Sequence, residues 1–329
     1  MTSIIESIML KVKEGWRPHR TILFCSWGGS PFGNIGSYKW AEEFKRILEN
    51  NAVAYIGLQN PIRGKSSLRS IASPSLLQLV TDVIKKLQVA CPDKEMCSKS
   101  GVSSVQALGD ADFFINHLGI PAVQFIIDDI KTSEASNVLS EAVFIKEETT
   151  NKQMDPSFNL HEYIAKLTLE MVLQIASEPV LPFSALDIAL EIQKNIEGDD
   201  TSTNHLMEKA RSLRETAQMF QSNEMRPAND PKERDPTRVR MLNDILQNME
   251  KNFLIQNPPP GFFRNILYRL EDRTTQFSTL QAAKAYYKIS KSNETLLAAL
   301  EMVSNCISSA QLYFNESLHV FEDGFYLND

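Results

Sequence analysis

The sequence has no uninterrupted run of about 18 apolar residues, so no membrane-spanning helix is predicted within its 329 residues. An excess of basic residues is also missing, because 34 Lys and Arg against 41 Asp and Glu give a net charge of −7. General nucleic-acid binding is therefore disfavoured, although a local basic patch stays open. Residues 1–16 carry charges among apolar residues spaced near 3.6, which predicts an amphipathic helix rather than a signal peptide.

Cysteine and histidine are scarce, with four and five residues. Cys25 and Cys306 lie in apolar or helical runs and are predicted to be packed free thiols. Cys91 and Cys97 flank a short polar loop, so a local disulfide and two free thiols are equally favoured, depending on the compartment. No histidine belongs to an H-E-x-x-H motif, and no Cys or His stands at zinc-partner spacing. We therefore predict no metal site and no cofactor.

The glycine-rich loop of residues 27–36 follows an apolar run and precedes a helical pattern. Its glycines do not match G-x-G-x-x-G, and no Gly-Lys-Ser/Thr follows, so nucleotide binding is disfavoured. Ser30 fails the G-x-S-x-G pattern of serine hydrolases because Phe32 occupies the last glycine position. A tight connection between a strand and a helix is the favoured interpretation. Asp128 and Asp129, after another apolar run, are interpreted as a solvated loop.

Two kinds of pattern divide the chain. In the first half, apolar runs alternate with helical patterns, which predicts a mainly parallel sheet covered on both faces. The predicted strands are 20–26, 52–58 and 120–127, and the predicted helices are 35–49, 74–88 and 110–118. From residue 158 onward only helical periodicity is found, which predicts an all-α bundle. Its helices are predicted at 158–177, 186–196, 205–220, 238–254 and 293–321, with turn-rich breaks at 225–236 and 257–261.

Several long blocks resemble the glutamate carboxypeptidase and transferrin receptor family. They include GWRPHRTILFCSWGG, FFINHLGIPAVQF, DPSFNL and MRPANDPKERDP, and the resemblance covers nearly the whole chain. It implies an α/β plus all-α fold. Residues 1–178 would be the later part of a zinc-peptidase-like (M28-type) α/β domain, and residues 179–329 a transferrin receptor-like helical dimerisation domain.

The same resemblance implies that the catalytic site has degenerated. Ser30 and Pro31 stand where active members carry the glutamate base and a glutamate zinc ligand, Gln59 replaces an aspartate ligand, and Glu141 replaces a histidine ligand. The remaining ligands would lie upstream of Met1. Proline offers no donor atom, a neutral amide is a weak zinc ligand, and serine cannot replace a carboxylate base. We expect an inactive, metal-free peptidase homologue; the alternative is residual metallopeptidase activity.

Partners and location follow from the resemblance as well. It implies a homodimer, an unidentified protein partner, and the extracellular side of a single-pass type II membrane protein whose anchor is absent from this chain. The chain would then be a fragment, an alternative product or an incomplete gene model, and a soluble intracellular interaction fragment is a further alternative. In a luminal product, the sequons at Asn293 and Asn315 are expected to be glycosylated.

Overall fold

A computed structural model describes residues 1–98, 100–104, 109–129, 155–196, 204–258, 263–267 and 278–322. Within these residues the strands are β1 (Tyr55–Gly57), β2 (Ser67–Ala72), β3 (Gly101–Ser104) and β4 (Ala122–Asp128). The helices of the first half are α1 (Thr2–Lys13), α2 (Ile35–Glu43), α3 (Lys45–Asn51), α4 (Leu77–Leu87), α5 (Lys94–Ser98) and α6 (Asp112–Leu118). Those that follow are α7 (Asn159–Ser177), α8 (Ala185–Ile196), α9 (Asn204–Phe220), α10 (Arg226–Asn229), α11 (Pro236–Asn248), α12 (Ser278–Ser290) and α13 (Glu294–Glu322).

The four strands form one mixed sheet in the order β1-β4-β2-β3. β1 pairs with β4 in parallel, and β2 pairs with β3 in parallel. β2 and β4 are antiparallel, with Ser70 opposite Phe125. The prediction of a mainly parallel sheet is therefore wrong at its centre, where two parallel pairs meet in opposite directions.

The predicted strand at residues 20–26 is wrong. A strand needs a partner for its backbone groups, and within the described part of the chain residues 21–27 make no backbone–backbone hydrogen bond. The segment is extended but outside the sheet, and the Leu23 side chain is 66% exposed. The start of this segment is held at the end of α7 by Arg20. Its guanidinium donates to the carbonyl oxygens of Ile175 and Glu178 at 2.8 and 2.6 Å.

The helical pattern of the second half is confirmed at all five predicted helices, with changes at their ends. The predicted break at 225–236 is shorter, because a π-helical turn (Gln221–Met225) and α10 occupy its first residues. α11 begins after it for a local reason: the Asp235 side chain accepts hydrogen bonds from the backbone of Thr237 and Arg238, and Pro236 occupies the first turn. Helix α12 was not predicted.

The sheet and the helices of the second half share the main apolar core, while α2, α3 and α6 pack in a smaller separate cluster. Side chains from β2, β4, α7, α9 and α13 belong to the same buried cluster, including Leu68, Phe125, Leu167, Phe220 and Phe314. The predicted amphipathic helix at the N-terminus is found as α1, whose Ile4 and Ile8 are buried. Among the described residues, no helix combines the length and the apolar composition needed to cross a membrane.

Candidate functional site

The loop of residues 27–36 turns the chain directly into α2. Gly29 and Gly33 have φ of 69° and 75°, and Asn34 has φ of 55°, so three positions adopt the left-handed conformation. Ser30 and Pro31 lie between them in a short 3-10 helix. A Cβ atom at Gly36 would collide with the carbonyl oxygen of Gly28, so the two ends of the loop pack against each other. The loop is the tight connection that the sequence favoured, although an extended segment rather than a strand precedes it.

Gln59, just beyond β1, is fixed by hydrogen bonds to three neighbours. Its Nε2 donates to Oδ1 of Asn34 at 3.1 Å, which joins it to the loop that carries Ser30 and Pro31. Its Oε1 accepts from the backbone N–H of Asp110 at 3.1 Å, and its carbonyl oxygen accepts from Nε2 of Gln124 at 2.6 Å. Both ends of the amide are thus used inside the protein, and the side chain acts as a neutral structural link.

A second hydrogen-bonded group beside Gln59 was missed from the sequence. Trp27 donates from Nε1 to the Tyr55 hydroxyl at 2.9 Å, and Tyr55 is also hydrogen-bonded to the Asp110 side chain. Burial raises the pKa of Asp110 and, together with the nearby Asp110 carboxyl, that of Tyr55. In the sequence, Tyr55 is marked only by its place on a predicted strand and Asp110 by its place at the start of a predicted helix.

The residues around Gln59 interact with one another through hydrogen bonds. The structure joins Gln59 to the loop of Ser30 and Pro31, while the predicted Glu141 lies outside the described residues. Over the described ranges, no group of three or more His, Cys, Asp or Glu side chains is arranged to hold a metal ion. A two-metal hydrolase requires charged or imidazole ligands around ions about 3.5–4 Å apart, and Gln59 with its neighbours does not supply that set.

The aspartate pair at the end of β4 is more ordered than the sequence suggested. Asp128 lies 3.1 Å from the Arg69 guanidinium on β2. Asp129 accepts from the Ser66 hydroxyl at 2.5 Å and from the backbone N–H of Lys65 at 2.9 Å. These hydrogen bonds, led by that from Ser66, lower the pKa of Asp129. Asp129 therefore fixes the chain before β2 and Asp128 pairs with β2 itself, instead of forming a solvated loop.

The structure describes all four cysteines and both sequon asparagines. Cys91 and Cys97 are joined by a disulfide with Cα atoms 6.5 Å apart. Cys306 is a buried free thiol whose pKa is raised by burial to about 11, and Cys25 is half-buried. Both sequon asparagines are exposed: Asn293 immediately precedes α13, and Asn315 lies within it.

A buried carboxyl group links the two halves of the chain. Glu250, in the 3-10 helix Met249–Phe253 after α11, accepts from the Ser75 hydroxyl at 2.6 Å and from its backbone N–H at 3.1 Å. Burial raises the pKa of Glu250 to about 7, although hydrogen bonds from Ser75 and Ser73 oppose the shift. This group connects the helices to the segment that follows β2, and no sequence pattern marked it.

Comparison with known proteins agrees with the predicted resemblance. The sequence model described as the transferrin receptor-like dimerisation domain matches residues 201–315. The chain is 58% identical over 322 residues to human "Inactive N-acetylated-alpha-linked acidic dipeptidase-like protein 2", covering 98% of this chain and 40% of that protein.

Two further relatives are less similar to the chain. "Probable glutamate carboxypeptidase AMP1" of Arabidopsis thaliana is 33% identical over 202 residues, covering 59% of this chain and 27% of that protein. Human "Transferrin receptor protein 2" is 33% identical over 87 residues, covering 26% of this chain and 11% of that protein. The chain thus spans at most 40% of the length of these relatives. The predicted resemblance and the α/β plus helical fold class are confirmed.

Proposed function

We propose that the chain is a catalytically inactive member of the glutamate carboxypeptidase and transferrin receptor family, and that it works by dimerisation and partner binding. In this proposal, residues 1–178 form the degenerate peptidase-like part and residues 179–329 the dimerisation part. The human relative that shares most of the chain carries the word "inactive" in its name, which supports the assignment.

The observation that carries the proposal is the state of Gln59. By resemblance it occupies a zinc-ligand position, yet it is a neutral amide whose Nε2 and Oε1 are both bonded within the protein. Ser30 and Pro31, at the base and second ligand positions, supply neither a carboxylate nor an imidazole. A hydrolase of this type depends on both the metal ions and the general base, and loss of the base alone typically costs about 10²–10⁴-fold in rate.

Metal content and hydrolysis test this proposal together. Elemental analysis of the full-length protein after dialysis is expected to give far less than one zinc ion per chain. Hydrolysis of an acidic dipeptide is expected to stay at background, with an active glutamate carboxypeptidase prepared in parallel as the positive control. About two zinc ions per chain, or hydrolysis that a chelator abolishes, would establish the alternative of residual metallopeptidase activity.

Dimerisation is assigned to the helical half. The matched domain type supports it, and α12 and α13 carry large apolar side chains on their surface: Tyr286, Ile289 and Leu297 are 52%, 85% and 62% exposed. Exposed apolar side chains of this size within a dimerisation-type domain are consistent with a contact between two copies. A two-fold pair uses the same surface on both copies, so a single chain supplies the whole contact.

Substitution of this surface with charge is expected to weaken the dimer. Ile289→Glu combined with Leu297→Glu places two carboxylates in the proposed contact, and the dimer dissociation constant of the full-length protein is expected to rise at least about tenfold. Sedimentation at micromolar concentration measures it. Val89→Glu is the matched control, because Val89 is 98% exposed and lies in the first half of the chain. A monomeric mass for the unmodified full-length protein would reject the dimer.

The location proposed is the extracellular side of a membrane; an intracellular location is the alternative. The disulfide between Cys91 and Cys97 supports an oxidising compartment.

Glycosylation distinguishes the two locations, because only a luminal product meets the transferase. We expect Asn293→Gln and Asn315→Gln each to lower the apparent mass of the full-length protein expressed in cells, on a denaturing gel, by one glycan. Asn252→Gln is the control, because Asn252 does not begin a sequon. Mobility that glycosidase treatment leaves unchanged would favour the intracellular alternative.

A further inference from the structure

A cavity lies between α2, α3 and α6 on one side and Gln256, Pro258, Phe263 and Arg264 on the other. Its volume is about 660 Å³, within the range of small-molecule pockets. It is separate from the hydrogen-bonded region around Gln59, which does not line it. Tyr38, His117 and Phe263 supply aromatic surface, and Asn116 and Gln256 supply amide groups. Such a lining suits an organic molecule that also carries polar atoms.

Two cationic side chains line the cavity. Arg264 donates from Nη1 to the carbonyl oxygen of His117 at 2.8 Å and from Nε to that of Ile255 at 3.1 Å. These bonds position the guanidinium group without neutralising its charge. Lys45 lies 3.6 Å from the Glu49 carboxylate, in an exposed pair that water screens. Asp112 contributes one negative charge, so the lining is cationic by one unit before His117 is considered.

The imidazole of His117 is held in place at the cavity wall. Its Nε2 lies 2.7 Å from the Tyr38 hydroxyl, and its ring stacks on Phe113 with centroids 4.8 Å apart. Burial is the main cause that lowers the pKa of His117; Asp112 and, more weakly, Glu42 raise it, while Arg264 and Lys45 lower it. The positive charges of the cavity thus already act on a group within it. An anion bound there would lower this electrostatic cost.

We propose that this cavity binds a small organic anion, with the carboxylate or phosphate group between Lys45 and Arg264 and the organic part against Phe263. Arg264 fits this role because its planar guanidinium is positioned by the backbone and can bond an anion with its remaining N–H groups. The proposal concerns binding and involves no reaction. It does not depend on the absence of peptidase activity.

Calorimetric titration of the full chain with three probes tests the proposal. Benzoate and phenyl phosphate represent aromatic carboxylates and phosphates, and inorganic phosphate has the charge without the organic part. We expect saturable binding of benzoate, phenyl phosphate or both, tighter than that of inorganic phosphate and weakened by added salt. The proposal is overturned if neither aromatic anion binds saturably, or if inorganic phosphate binds as tightly as the better of them.

Paired substitutions locate the site. Lys45→Gln is expected to weaken the better probe about fivefold, while Arg46→Gln makes the same charge change at an exposed neighbour and is expected to leave binding unchanged. Arg264→Gln should abolish binding, and circular dichroism shows whether that variant keeps its fold, since Arg264 also joins two backbone segments. If Arg264→Gln unfolds, the Lys45 and Arg46 pair decides alone. An unchanged affinity in Lys45→Gln, or an equal loss in both variants of the pair, overturns the assignment.

Discussion

Phe314→Ala is expected to lower the free energy of unfolding by about 3–5 kcal/mol, because truncation of a fully buried aromatic ring leaves a cavity. Phe314 lies on α13 with no exposed surface, and its ring centroid is 5.6 Å from that of Phe220 on α9, which is equally buried. These two rings are at the centre of the packing between the two helices. Urea unfolding followed by circular dichroism measures the change.

The matched control for this substitution is Glu316→Ala, at an exposed position of the same helix. It is expected to change the free energy of unfolding by less than about 0.5 kcal/mol. A loss below about 1 kcal/mol for Phe314→Ala would mean that the two helices do not pack through these rings.

The pH dependence of stability is expected to contain a contribution from Glu250. Its pKa is raised from 4.5 to about 7 in the folded protein, so the folded state keeps a proton that the unfolded state releases. This contribution is therefore complete below pH 4.5 and is lost as the pH rises through about 7. A shift of that size corresponds to roughly 3 kcal/mol.

Glu250→Gln isolates this effect, because the amide is neutral at every pH and keeps an oxygen that can accept from the Ser75 backbone N–H. Relative to Glu250→Gln, the unmodified chain is expected to lose up to about 3 kcal/mol of stability between about pH 5 and about pH 8. Urea unfolding at a series of pH values provides the measurement. Glu301→Gln, at an exposed carboxylate of α13, should give a curve parallel to that of the unmodified chain. Parallel curves for Glu250→Gln as well would contradict the assignment.

The sequence predicted the helices better than the sheet, because helical hydrogen bonds are local while strands require distant partners. The apolar segment 20–26 has strand composition but no backbone partner among the described residues. β2 has the opposite character: Arg69 and two serines obscure its pattern, although its edges pair with β3 and β4. The Arg69 charge is tolerated there because its guanidinium lies 3.1 Å from the Asp128 carboxylate at the end of β4.

The candidate site was recognised only in part, for a related reason. The resemblance identified Gln59 and the loop of Ser30, but its hydrogen bonds to Asn34 and Asp110 depend on segments that only the fold brings together. Glu250 resembles an ordinary exposed helix residue in the sequence. Its burial follows from contact with Ser75, 175 residues earlier, which no local periodicity reports.

The shared core and the Glu250 link have a mechanical consequence. A hinge movement between the sheet half and the helical half would separate Glu250 from Ser75 and bring water to apolar side chains that now belong to one cluster. We therefore expect the two halves to move together. In the proposed dimer, the angle at which two helical halves meet would fix the spacing and orientation of the two sheet halves. A partner that contacts both subunits at once would bind only if its own two contact sites matched that spacing.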